Sequence, residues 1–270
     1  MSNQQFTWHS VAVTDTGMVR SINEDAILDR SEIGLWVVAD GMGGHDAGDL
    51  ASQTIVKSLA DMYQPPFLEA YVEAVQERLS DINNELRDIA TARNNNSTIG
   101  STVALLLAFK DRCAVLWAGD SRVYRIRGNS FQAMSKDHSQ VQELVDHGVI
   151  AAEDAEAHPA ANVITRAVGA MDNLEVDVNF SDLQDNDHYL ICSDGLYKEV
   201  VEQEIRQAMH QCVDSTVMVN ELIALAKSRN ARDNVSIISV IFHAGSDYVD
   251  GDQTLPFFSL SKWKSKIKSD

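Results

Sequence analysis

Positive charge is what this sequence is short of: Lys and Arg number 22 against 40 Asp and Glu, a formal net charge of -18. A nucleic acid is therefore not an expected partner, because a phosphate backbone asks for a basic face. Cysteine is scarce as well. Cys113, Cys192 and Cys212 are odd in number and widely spaced, with no paired metal or redox spacing, and read as free thiols. Long apolar runs are missing: the longest, Val103 to Phe109, falls far short of the roughly 20 residues that span a bilayer. The first residues, Met1 to Gln5, carry neither a basic n-region nor an apolar h-region. A cytoplasmic protein without a transmembrane segment is the expectation. What remains is a chain of 270 residues with 44% hydrophobic content, ordinary for a globular core.

Three apolar runs end on an aspartate beside a glycine: Trp36 to Asp40-Gly41, Leu116 to Gly119-Asp120, and Tyr189 to Asp194-Gly195. A fourth runs the other way, with Asp233-Asn234 opening Val235 to Phe242. Runs this short and β-branched predict buried strands, so each strand carries a carboxylate to a sheet end. At any one strand end Asp-Gly is plain turn chemistry. Four together would place several carboxylates near one another, where they repel and lose solvation unless something positive sits among them. Hard divalent cations bound through oxygen answer that need.

The spacing of Leu68, Val72, Val75, Leu79, Ile82, Leu86 and Ile89, in steps of four and three, predicts one long amphipathic helix after the break at Pro65-Pro66. About three heptads without a partner sequence favour packing on its own domain over a coiled coil. A helix from about Ala47 to Met62 precedes it, and Asn94 to Ser97 reads as a loop. Thr102 to Phe109, Arg112 to Ala118, Arg122 to Arg127 and Ser130 to Met134 are close enough to be antiparallel hairpins. An excursion then runs from Asp137 to about Arg166, with a short helix near Val141 to His147. Strands resume near Leu174 to Phe180 and His188 to Cys192, followed by helices with apolar faces at Val201 to Met209 and Val219 to Ala226. The expected class is α+β, a four-layer α-β-β-α sandwich in which two mainly antiparallel sheets pack together between helix pairs. Residues 1–244 form the expected folded domain, and 245–270 a polar, lysine-rich tail.

Arg20, Asn23-Glu24-Asp25, Asp40-Gly41-Met42-Gly43-Gly44-His45, Gly119-Asp120-Ser121-Arg122, Ser193-Asp194-Gly195-Leu196 and Arg232-Asp233-Asn234 follow one another in an order and spacing that resembles the metal-dependent serine/threonine protein phosphatases, the PPM or type-2C family, in their compact bacterial form. The resemblance covers about Thr7 to Phe242. It implies that Asp40 bridges two Mn2+ or Mg2+ ions, that the Gly41 carbonyl helps hold one, and that Asp194 and Asp233 hold the other. Glu24 would order the second ion largely through water, with Asp25 and Asn234 in the layer behind, and Asp120 would serve a third, weaker ion. Arg20 would grip the substrate phosphate, as a two-pronged guanidinium suits non-bridging oxygens. The implied reaction is hydrolysis of phosphoserine and phosphothreonine in proteins by a metal-bound hydroxide, without a covalent intermediate. The segment 137–166 would be the family's flap.

One departure stands out: many eukaryotic members carry a histidine two residues after the bridging aspartate, and this chain has Met42, which cannot donate a proton. His45 and His138 are the substitutes to test by geometry. The partners implied are phosphorylated proteins and a separate serine/threonine kinase, since the chain holds no kinase motif; a monomer is the working expectation, although charge does not fix the oligomeric state. Three other readings compete. A dinucleotide loop lacks its third glycine, having Asp46 there, and Asp40 would repel a pyrophosphate. A two-metal nuclease is disfavoured by net charge. A catalytically silent phosphoprotein-binding or kinase-scaffolding module would be favoured by a lost carboxylate, yet Asp40, Asp194 and Asp233 all stand at their matching positions.

Overall fold

A computed structural model describes residues 5–43, 47–93, 98–155 and 157–245. His45, the Asn94 to Ser97 loop and nearly all of the lysine-rich tail lie outside the described residues. Among the described residues eleven strands appear in chain order: β1 Phe6–Asp15, β2 Asp25–Arg30, β3 Leu35–Met42, β4 Gly100–Ser101, β5 Val103–Phe109, β6 Arg112–Ala118, β7 Arg122–Arg127, β8 Ser130–Ala133, β9 Asp177–Asp182, β10 His188–Cys192 and β11 Val235–Ala244. The helices are α1 Ala47–Ala60, α2 Leu68–Ala92, α3 Gln140–Asp146, α4 Asp194–Tyr197, α5 Glu202–His210 and α6 Ser215–Ser228.

The strands form two sheets, one ordered β1-β11-β10-β7-β8 and the other β2-β3-β5-β6-β9 with β4 beside β3, and every named pairing is antiparallel. Strands buried on both faces explain the unbroken apolar runs. Alternate residues of β3 serve different layers: Trp36 and Val38 meet Tyr189, Ile238 and Phe242 between the sheets, while Leu35, Val37 and Ala39 face the helices. Trp8, Trp36, Tyr189 and Phe242 pack edge to face in that inner layer. On the far side Tyr124, Leu190 and Ile237 meet α4, α5 and α6. The four-layer expectation holds.

The long helix is α2, and its apolar stripe is spent within the domain: Leu68, Val72, Val75, Leu79, Ile82 and Leu86 are buried against α1 and the second sheet. Each such side chain contributes about 1.5–3 kcal/mol by leaving water, which is why no coiled-coil partner is needed. One expected strand is displaced. The segment read as Leu174 to Phe180 pairs with β6 only from Asp177, opposite Trp117. Leu174 and Val176 instead pack against the helix-side core, so their apolar character serves packing rather than the ladder.

Register fixes the placement of the acidic residues. Asp25 lies opposite Asp40 across β2 and β3, Asp15 opposite Val235 across β1 and β11, Cys192 opposite Ile237 and Arg122, and Val103 opposite Ala118. The start of β2, the end of β3, the end of β6, the end of β10 and the start of β11 therefore gather at one edge of the sandwich. The excursion between β8 and β9 folds back there, closed by a bridge between Ser139 and Ile164.

Candidate active site

At that edge lies a cleft of about 750 Å³ whose lining includes Arg20, Glu24, Asp40, Gly41, Asp120, Asp194 and Asp233, together with Ser139, Asn162 and Ile164 of the excursion. All the carboxylates expected to act directly thus share one cavity with the expected arginine. Asp25 and Asn234 sit behind them.

Asp40 is fixed through its backbone: its carbonyl accepts from the Thr102 N–H at 2.8 Å and the Ser101 hydroxyl at 2.9 Å. Burial, and then the neighbouring charges of Asp25, Asp194, Asp120 and Asp233, push its carboxyl well above the usual carboxylate range. Gly41 follows, and only glycine fits: a Cβ there would lie 2.1 Å from the Gly48 carbonyl and 2.6 Å from that of Glu24. The α1 helix can therefore approach the strand end closely. Asp25 is buried and accepts hydrogen bonds from Ser193 at 2.8 Å and Ser236 at 2.7 Å, linking the two sheets behind the cleft. Burial outweighs those bonds and moves its pKa up to about 7.

Asn234 is the clasp of the Arg20 loop. Its side chain accepts from the Glu24 N–H at 2.8 Å and donates to the carbonyls of Thr16 and Ile22 at 2.9 and 3.0 Å. The loop's other anchor is Gly17, at φ +79, where a Cβ would fall 2.2 Å from the Asp233 carbonyl. So held, Arg20 reaches across to Asp233 at 2.8 Å and lies 3.9 Å from Glu24. Asp233, then Glu24 and Asp40, hold the guanidinium pKa above its ordinary value.

Asp120 is buried, and its pKa rises to about 7 through burial and then Asp194. Its carbonyl accepts from the Tyr197 hydroxyl at 3.0 Å. Asp194 opens α4, and Lys198 one turn later forms an ion pair with its Oδ2. Lys198 also donates to Asn162 of the excursion at 2.8 Å. Next to it, Arg122 grips both oxygens of Asp137 and lies 3.7 Å over the Tyr197 ring. No functional motif in the sequence marks these three as fasteners: Lys198, the serines on Asp25, or the Arg122–Asp137 pair. The four-residue step from Asp194 to Lys198 was the one local signal.

His138 is not brought to the cleft. Its Nδ1 accepts from the Gly119 N–H at 3.1 Å, its Nε2 faces Asp177 at 3.2 Å, and its ring stacks on Trp117. With both nitrogens committed, it fastens the excursion to the sheet and has no free atom for a leaving group.

Among the described residues, no three acidic, histidine or cysteine side chains stand close enough together to grip an ion directly. Two of the carboxylates, Asp194 and Asp233, are paired with Lys198 and Arg20. The donor set nevertheless suits hard cations: it is all oxygen, and Oδ1 of Asp120 and Oδ1 of Asp194 are buried without any hydrogen-bond partner. Buried carboxylate oxygens left bare, in a cleft whose charges repel, are satisfied by a cation.

An acidic, oxygen-lined cleft with a guanidinium at its rim, at the edge of a four-layer sandwich, is the architecture of a hydrolase for anionic esters. A family model for protein phosphatase 2C matches residues 19–227, and the chain belongs to that family. The serine/threonine phosphatase Stp of Listeria welshimeri is 30% identical over 239 residues, 86% of this chain and 95% of the relative. Among solved structures, PppA, described as a key regulatory component of T6SS in Pseudomonas aeruginosa, is 42% identical with a TM-score of 0.82, covering 90% of this chain and 100% of that one. The catalytic domain of PstP, solved with 2 manganese ions, is 30% identical with a TM-score of 0.77, covering 88% of this chain and 99% of that one.

Proposed function

We propose that the chain hydrolyses phosphoserine and phosphothreonine in proteins with the help of two divalent cations, manganese or magnesium, held at the acidic edge. It is a protein serine/threonine phosphatase. The observation that carries the cation reading is the gathering of Glu24, Asp40, Asp194 and Asp233 in one cleft, where Asp194 keeps a bare, buried oxygen and the charge of Asp40 is disfavoured. Asp40, the Gly41 carbonyl, Asp194 and Asp233 would hold the ions, Glu24 would reach one through water, and Asp120 would serve any third. Bound there, such ions lower the pKa of a shared water and neutralise charge on the phosphoryl oxygens.

The rest falls to the chain's own side chains. Arg20, poised on Asp233, would swing its two-pronged guanidinium onto two non-bridging oxygens and stabilise the charge that spreads over them. Ser193 and Ser236 would hold the Asp25 carboxyl in place behind Asp40, where a bound cation would favour its ionised form. The segment 137–166 would wall the cleft and choose among phosphoproteins. The catalytic unit would be residues 1–244, and a separate serine/threonine kinase would supply the substrates.

Hydrolysis of a phosphothreonine peptide, with manganese and with chelator, tests the reading. Turnover that needs added metal and is lost in folded Asp40→Asn is expected. Undiminished turnover by that variant would overturn the assignment of Asp40, and inactivity with every divalent metal would favour a silent phosphoprotein-binding module.

A further inference from the structure

Lys198 has no place in the reaction so far, yet it is built into the cleft. It stands one helical turn after Asp194 on α4, its ammonium paired with Asp194 Oδ2 and donating at 2.8 Å to Oδ1 of Asn162. Its side chain is 35% exposed, whereas its partner Asp194 is 11% exposed. A lysine free to choose solvent is thus drawn inward. Asp120 lies on the same side of the cleft, close enough for the two charges to act on one another. The bare oxygens of Asp120 and Asp194 and this ammonium therefore share one corner.

We propose that Lys198 is a built-in cation of the site: its ammonium takes the corner between Asp194 and Asp120 that a third divalent ion would occupy, and through Asn162 it latches the flap over that corner. The inference rests on the two-cation reading above. A divalent ion entering the corner would have to displace the ammonium or sit beside it against like charge. The chain then holds two ions where an unblocked site would take three. The flap is tied to a fixed side chain, so its closure does not wait on a weakly held third ion. Lys198 acts here as a positioning residue.

Manganese counting by equilibrium dialysis with EPR detection of free Mn2+ tests this, with hydrogen exchange of residues 157–166 read on the same metal-loaded samples. Wild type is expected to bind two ions. Lys198→Met, which keeps the length and removes the charge, gains a third, weaker one. Asn162→Ala keeps two ions, while its flap amides exchange about fivefold faster, the effect of losing one hydrogen bond. Three ions on wild type, or an unchanged count of two in a Lys198→Met protein that melts like wild type, would overturn the built-in cation. Unchanged flap exchange in both variants would overturn the latch. No bound manganese in any of the proteins would overturn the two-cation reading itself, and this one with it.

Discussion

Arg122 should contribute far more to this fold than an ordinary surface arginine. Its guanidinium meets Asp137 through Nε at 2.9 and 3.2 Å and Nη2 at 2.7 Å, and Nη1 reaches the Tyr124 hydroxyl at 3.2 Å. Exposure of the pair is 22% and 13%. Burial works against the guanidinium charge, but the hydrogen bonds to Asp137, added to the fields of Tyr124, Asp137 and Tyr197, outweigh it and raise its pKa. Removing either partner strands the other charge in a poorly solvated place, a loss of about 3–5 kcal/mol for a fully buried pair. Partial exposure puts the expectation near 3, with about 1 kcal/mol more for Arg122→Ala because the Tyr197 ring loses its cation. In a double-mutant cycle with Asp137→Ala, read by urea denaturation of the metal-free proteins, the coupling should be about 2–3 kcal/mol. Arg122→Lys should fall between, keeping the charge but not the fork. A coupling energy under about 0.5 kcal/mol would refute the reasoning, for the contact would then behave as an ordinary surface ion pair.

Further outcomes follow from the same geometry. In the metal-free chain the folded-state pKa values of Asp25 and Asp120, about 7, exceed the ordinary 3.8. Their contribution is therefore full below pH 4 and lost as pH rises through 7, so urea midpoints should fall between pH 5 and pH 8. Asp25→Asn should flatten that fall by up to about 2–3 kcal/mol, and parallel profiles would contradict it. Arg20→Ala should lower kcat/KM for a phosphothreonine peptide about 100-fold, and an unchanged value would remove Arg20 from the phosphate site. Gly17→Ala, forced into the left-handed region against the Asp233 carbonyl, should cost about 1–3 kcal/mol and weaken manganese binding measured calorimetrically. Wild-type stability and affinity in that variant would mean the Arg20 loop is free to move.

The acidic half of the site was legible because it is written locally. A buried strand announces itself by its apolar run, its end by Asp-Gly, and antiparallel pairing gathers the ends of β3, β6 and β10 with the start of β11. The fasteners were not legible in that way. Asp25 is held by serines 168 and 211 residues away, and no local pattern links them. His138 shows the converse: a histidine in the right segment has the right chemistry, yet Trp117, Gly119 and Asp177 decide which way its ring faces. Leu174 and Val176 misled because an apolar alternation is the same signal whether it serves a ladder or a helix-side core.

Lys198 lies between these cases. An acid followed four residues later by a lysine is a helical pairing readable in the sequence, but it means something only if Asp194 starts a helix rather than ending a turn. The Ser193-Asp194-Gly195 run suggests a turn, since glycine in second position disfavours a helix. The structure makes it one short helical turn all the same, packed so closely that a Cβ at position 195 would meet the Asn234 carbonyl at 2.0 Å. The glycine is there for close approach of α4 to β11, not to break the helix. That approach brings Asp194 alongside the start of β11, near Asp233, and it turns Lys198 back into the cleft. The same packing that brings the carboxylates together thus also supplies the cation that sits among them.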